Sequence, residues 1–181
     1  LTGPNLTWLV RWSRELPANV ELELVGDQRS AQEMHREYLR ADAAISTSRG
    51  EGWCMPLHEA LLCGLPVICP ASTAMDECLP QEGVLRVPAP PFETRSANHP
   101  FAGPMKARYG KPGLHHFEPD VDALAAAIRR AIDQSEPLAQ AALSAREKIL
   151  QHYNVEVIGS RLDAIFQSFA ESRGVKNGAI S

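Results

Sequence analysis

Two carboxylates, Glu51 and Glu59, stand with seven residues between them in the run 46–69, Ser-Thr-Ser-Arg-Gly-Glu-Gly-Trp-Cys-Met-Pro-Leu-His-Glu-Ala-Leu-Leu-Cys-Gly-Leu-Pro-Val-Ile-Cys. A small apolar strand enters this run, a Gly-containing turn follows, and a short amphipathic helix opens from the turn. A second apolar strand begins after Gly64. The start of such a helix presents backbone N–H groups and the positive end of its dipole to an anion. Carboxylates beside it accept hydrogen bonds from hydroxyls. A ligand carrying both phosphates and hydroxyls satisfies the two together, and a nucleotide sugar is such a ligand.

The flanking elements must hold that turn in place. Residues 6–16 have helical apolar spacing and stop at Pro17. Residues 20–25 alternate apolar and acidic side chains and read as a strand ending at Gly26 and Asp27. Ser30 followed three residues later by Glu33 is a capping box for a helix to about Leu39. Residues 43–46 form a short strand, and the helix of residues 56–63 carries Pro56 at its start and Gly64 just past its end. Residues 67–69 read as a buried strand, 73–79 as a short helix and 84–87 as a third strand. Alternating strands and helices without hairpin turns predict an α/β fold, a doubly wound parallel sheet whose ligands bind at the strands' carboxyl ends.

Further along, residues 88–112 are rich in Pro, Gly and Asn and read as a long irregular insertion, within which Phe92, Phe101 and Tyr109 pack locally. Asp120 caps a helix to about Ile132, and helices follow over residues 137–153 and 155–172. The last carries an apolar stripe of Ile158, Leu162, Ile165, Phe166 and Phe169, expected to dock on the domain's own core. These elements predict one domain over residues 1–173 and a frayed tail over 174–181.

Bulk properties bound the function. The 181 residues are ordinary in composition for a globular protein, and a formal charge of −4 without a basic stripe argues against nucleic-acid binding. Arg129 and Arg130 read as a solvated helix face. Cys54, Cys63, Cys69 and Cys78 lack paired Cys-x-x-Cys spacing, which disfavours zinc; Cys63 and Cys69 read as small core residues. Reduced cysteines fit a cytoplasmic protein, with the inner face of a membrane as an alternative place. No apolar run has spanning length. The chain begins with Leu and reads as a fragment.

The run Ser48-Arg-Gly-Glu51-Gly-Trp-Cys-Met-Pro56-Leu-His-Glu59-Ala60-Leu-Leu-Cys-Gly64-Leu-Pro66-Val67 resembles the signature of the retaining glycosyltransferases of family four. That group has two-lobed GT-B architecture and the pattern Ser-x-x-Glu-Gly-Phe-Gly-x-Pro-x-x-Glu-Ala-x-x-x-Gly-x-Pro-Val. The likeness spans roughly residues 20 to 170 and is specific only around the signature. It implies a Rossmann-like, nucleotide-sugar donor-binding lobe and metal-independent retaining transfer to an unknown acceptor. It also implies a partner, the acceptor-binding N-terminal lobe, without which this chain is expected to be inactive. In that family the terminal helix crosses to the other lobe, an alternative to core docking here.

Carried onto this sequence, the resemblance makes Glu51 the catalytic-site carboxylate that contacts the donor sugar. Glu59 accepts from the two ribose hydroxyls. Arg49, Gly52, Trp53, Cys54 and Met55 complete the donor site, with free amides expected over residues 52–57. No cofactor and no metal are implied. Two departures stand out. Trp53 replaces Phe as a packing residue that props the turn. Cys54 replaces Gly, where a Cβ is expected to narrow the donor's approach or force a negative φ. Taken alone, Glu51 reads as a turn carboxylate, Glu59 as a solvated helix residue and Arg49 as a loop cation. His58 reads as structural or exposed, His115 and His116 as loop residues, and residues 26–28 as a border of the nucleobase.

Three other functions compete. A non-catalytic nucleotide-sugar-binding or scaffold domain keeps the fold without turnover; the Cys54 change recommends it, as does the lack of the basic loop that the resemblance implies for the diphosphate. A glycoside hydrolase needs its two carboxylates across a bond, whereas both here belong to one helix mouth. A dinucleotide-dependent oxidoreductase lacks its Gly-x-Gly-x-x-Gly after any strand.

Overall fold

A computed structural model describes residues 16–23, 25, 28–94 and 114–173. The chain divides into two compact units, Leu1–Arg36 and Glu37–Ser181. In the first, the capping box forms as expected. The Ser30 amide and hydroxyl both donate to Glu33 Oε2, at 2.8 and 2.7 Å, and the Glu33 amide returns a bond to Ser30 Oγ. Helix α1 (Ala31–Arg40) starts there and runs across the division between the units. The strand expected over residues 20–25 is not formed at its described positions, and Val20, Leu22 and Val25 stay exposed. Alternation makes a strand only where a neighbouring edge accepts its ladder, and no described strand pairs with this run. The helix expected over residues 6–16 lies outside the described residues.

The second unit is built on a parallel sheet in the order β1 (Ala44–Ile45), β2 (Val67–Pro70), β3 (Val84–Val87). Ile45 is in register with Ile68, and Ile68 with Leu85. Helix α2 (Met55–Leu62) joins β1 to β2, and the short α3 (Thr73–Glu77) joins β2 to β3. All three strands point the same way, so the segments after β1, β2 and β3 gather at one edge. Sequence order without reversal is the α/β part of the expectation; the described strands contain no switch point.

Helices cover both faces of this sheet. Val67, Cys69 and Val84 pack with Leu57, Ala60 and Leu61 of α2 and with Ala142, Ala145 and Ile149 of α5 (Ser135–His152). Ile68, Leu85 and Val87 turn the other way, onto Leu124, Ala127 and Ile128 of α4 (Val121–Asp133). The central strand β2, buried at all four positions, is therefore a continuous apolar run, whereas β3 carries Arg86 and β1 leaves Ile45 exposed. Asp120 caps α4 by accepting from the Ala123 amide at 2.7 Å. Gly83 lets α5 approach: a Cβ there would lie 2.6 Å from the Ala142 Cα.

Two expectations are corrected. Residues 88–112 are not irregular throughout, because β4 (Pro91–Thr94) pairs antiparallel with β5 (Leu114–Phe117). Its partner lies just past the Pro-rich run, so no local pattern announces the ladder. Phe101 and Tyr109 lie outside the described residues. Helix α6 (Val155–Ser172), capped by Asn154, touches α5, yet its stripe is not docked on the core. Ile165 and Phe166 are 63% and 65% exposed, and Leu162 and Phe169 are exposed too. No helix among the described residues is long and apolar enough to cross a membrane.

Candidate functional site

The turn after β1 and the start of α2 form the site at the sheet's carboxyl edge. A Schellman motif fixes the far end of α2: the Leu65 amide bonds the Ala60 carbonyl and the Gly64 amide the Leu61 carbonyl, with Gly64 at φ 78°. At the near end Cys54 takes the N-cap position with φ 59° and ψ 58°, a left-handed conformation, and Pro56 stands in the first turn.

Cys54 thus keeps the positive φ that glycine favours, against the expectation that its Cβ forces a negative one. Nor does the side chain narrow the mouth. It is buried at 5% exposure among Leu57, Leu61, Cys69 and Met75, and the Ser46 side chain hydrogen-bonds the thiol. Burial pushes the Cys54 thiol above its ordinary pKa, and the nearby Glu51 charge adds to the rise. The core, not the ligand side, accommodates the extra atoms.

The backbone is left open above. The amides of Gly52, Trp53, Cys54 and Met55 donate to no described residue, and a Cβ at Gly52 would meet nothing within 4 Å. Four N–H groups at a helix start, without an acceptor among the described residues, are donors available to an anion. The Leu57 amide does not belong to it, because it donates to the Cys54 carbonyl at 3.1 Å.

Glu51 is held by its backbone. Its amide donates to Thr73 Oγ1 at 3.1 Å, and its carbonyl accepts from the Ala74 amide at 3.4 Å. Thr73 itself has φ 52°, uncommon for a β-branched residue. The half-buried Glu51 carboxylate makes no hydrogen bond or ion pair with a described residue. Glu59 is exposed on α2 and accepts from the Tyr38 hydroxyl at 3.1 Å.

Arg49 is engaged: its Nη2 lies 2.8 Å from Glu118 Oε1, and its carbonyl accepts from the Phe117 amide at the foot of β5. Trp53 props the turn by stacking on His58 at 4.7 Å and 5°, with Tyr153 edge-on to both rings. His58 is buried at 4% exposure. Its Nδ1 lies 3.3 Å from the Cys54 carbonyl, an acceptor that calls for the proton on Nδ1, and the buried Nε2 has no partner among the described residues. Met55 is exposed. His115 and His116 lie on β5, in register with Glu93 and Phe92. Of residues 26–28 only Gln28 is described.

Glu51, Gly52, Trp53, Cys54, Met55 and Glu59 therefore share one helix mouth, and Arg49 borders it in a pair with Glu118. Tyr38, Thr73, Glu118 and Tyr153 were not legible as site residues. Each reaches the turn from a distant stretch of chain, and no short-range pattern marks it.

Residues 2–82 match the family model described as glycosyl transferases group 1. That span is similar to group 1 glycosyltransferases. It contains both Glu51 and Glu59 and ends just before β3, short of half the chain. No curated protein matches the chain. The similarity covers the turn and helix that carry both carboxylates and does not extend to β3 or the helices after it.

Proposed function

We propose that the chain is the donor-binding lobe of a retaining, metal-independent glycosyltransferase of GT-B architecture. One observation carries the reading: four amides and the Glu51 carboxylate, none with a partner among the described residues, stand at the start of the helix that bears Glu59. Bound nucleotide sugar sets its diphosphate on the amides of residues 52–55. As the bond to the sugar breaks, charge grows on the leaving phosphate, and fixed N–H dipoles stabilise that state more than the ground state. Glu51, its backbone clamped by Thr73, hydrogen-bonds the sugar and counters positive charge developing at the anomeric carbon. Glu59 accepts from the two ribose hydroxyls. An acceptor-binding lobe is the partner this reading requires, and the exposed stripe of α6 supports such a contact.

The test is calorimetric titration of the chain with UDP-, GDP- and ADP-sugars, using Glu59→Ala as the comparison. The expected result is binding that needs the diphosphate and weakens about tenfold or more in the variant, the loss of one or two hydrogen bonds to a charged group. Equal binding by the two proteins removes ribose recognition from Glu59, and no binding by either sinks the donor reading. The pairing of Arg49 with Glu118 favours a second reading, a nucleotide-sugar-binding domain without turnover, since that cation is already engaged. Donor binding without transfer in the complete protein would support it.

A further inference from the structure

Glu59 stands on an exposed helix flank, where a three-torsion side chain samples several rotamers unless something holds it. Tyr38 does so from α1, twenty-one positions away, by donating its hydroxyl to Glu59 Oε2. The tyrosine is itself fixed, since its half-buried ring packs against the core cluster that includes Leu57, Ala60 and Leu61. Burial, and then the bond to Glu59, pushes the phenol up to about 12, so it remains a donor at any physiological pH. A carboxylate offers about four lone-pair directions in one plane. One is taken by Tyr38, which fixes that plane and leaves Oε1 and the second lone pair of Oε2 for other donors.

We infer that Tyr38 is the positioning residue for Glu59, presetting its carboxylate for the two cis hydroxyls of a ribose and so setting the preference for ribonucleotide over deoxyribonucleotide donors. The inference rests on the reading of Glu59 as the ribose acceptor. Two hydroxyls at fixed separation need two acceptor sites at fixed separation. A carboxylate free to rotate meets one of them at the expense of the other. The 2′-hydroxyl is therefore read through Tyr38 although Tyr38 does not touch it.

The experiment measures, by calorimetry on the whole chain, dissociation constants for UDP, GDP and ADP and for their 2′-deoxy counterparts. It compares the unsubstituted protein with Tyr38→Phe, Glu59→Ala and the double variant. Phe keeps the packed ring and removes only the hydroxyl. Unsubstituted protein is expected to prefer the ribonucleotide about tenfold, and Tyr38→Phe to reduce that ratio about three- to tenfold, the scale of one hydrogen bond. The double variant is expected to match Glu59→Ala, whose ratio is near one. A general loss of stability would weaken both nucleotides alike and leave the ratio unmoved. If Glu59→Ala abolishes the preference while Tyr38→Phe leaves it intact, Tyr38 has no positioning role and the ribose reading stands. If Glu59→Ala keeps the preference, or the unsubstituted chain binds no nucleotide, the ribose reading falls and this inference with it.

Discussion

At Cys54 the backbone conformation can be weighed against the packing by comparing Cys54→Ala with Cys54→Gly. Both remove the buried sulfur, so its contribution cancels between them. Going from Ala to Gly at a buried site with ordinary φ loses a methyl, about 0.8 kcal/mol. It also adds backbone entropy to the unfolded chain, about 0.5–1 kcal/mol. At Cys54, with φ 59°, the same change relieves the contact between Cβ and the carbonyl, about 1–2 kcal/mol. These contributions nearly cancel, and the two variants are expected to lie within about 0.5 kcal/mol of each other. Ala60, fully buried inside the same helix, is the control; Ala60→Gly is expected to cost about 2 kcal/mol, from helix propensity and the lost methyl. Urea unfolding followed by far-UV circular dichroism gives both differences. A gap at Cys54 as large as the one at Ala60 would refute a left-handed residue at the helix mouth, and with it the reasoning that keeps the thiol out of the ligand's path. Donor affinity gives a second readout: because the side chain faces the core, Cys54→Gly is expected to bind nucleotide sugar within about threefold of the unsubstituted protein.

Other perturbations test the frame around the site. Gly83→Ala drives a Cβ into the α5 backbone at a φ of 69°, and a loss of about 3 kcal/mol or more in chemical unfolding is expected; Gly52→Ala, which meets open space, is expected to change stability by less than about 0.5 kcal/mol. Tyr38 and Cys69 have raised pKa values, to about 12 and about 11, from ordinary values of 10.0 and 9.0. For groups raised in the folded state, the protonated form is the one folding favours. Their stabilisation is full below pH 9 and is lost as the pH climbs through the folded values, so thermal melts are expected to hold up to pH 9 and fall between pH 9 and 12. Glu118→Gln releases Arg49 from an exposed ion pair; stability is expected to fall by less than about 1 kcal/mol, while diphosphate affinity at low salt rises. Unchanged affinity in that variant removes Arg49 from the anion site.

Much of the site was legible because its signals are local. A strand, a Gly-containing turn, Pro56 in the first helical turn and Gly64 past the last one describe a single connected unit, and the capping box at Ser30 and Glu33 spans only three residues. Helices α4 to α6 were legible from caps and apolar periodicity, and β2 and β3 from short apolar runs. The strand expected over residues 20–25 failed because alternation describes a surface and not the neighbour that must pair with it. The β4–β5 ladder was missed for the converse reason: a Pro-rich segment can pair when a partner is brought to it. The docking expected of α6 failed because periodicity marks an apolar face without saying what covers it.

The sequence by itself determined the chemistry on offer: which carboxylates, which amides and which helix mouth, since those follow from residue types within a few positions of one another. Only the tertiary structure decided how those groups are held. Cys54 holds its left-handed turn with the thiol packed into the core beneath. Thr73 clamps Glu51, Tyr38 fixes Glu59 and Glu118 engages Arg49 because the fold brings separate stretches of chain to adjoining positions. Contacts of that kind depend on distance in space, and separation along the chain carries no record of them.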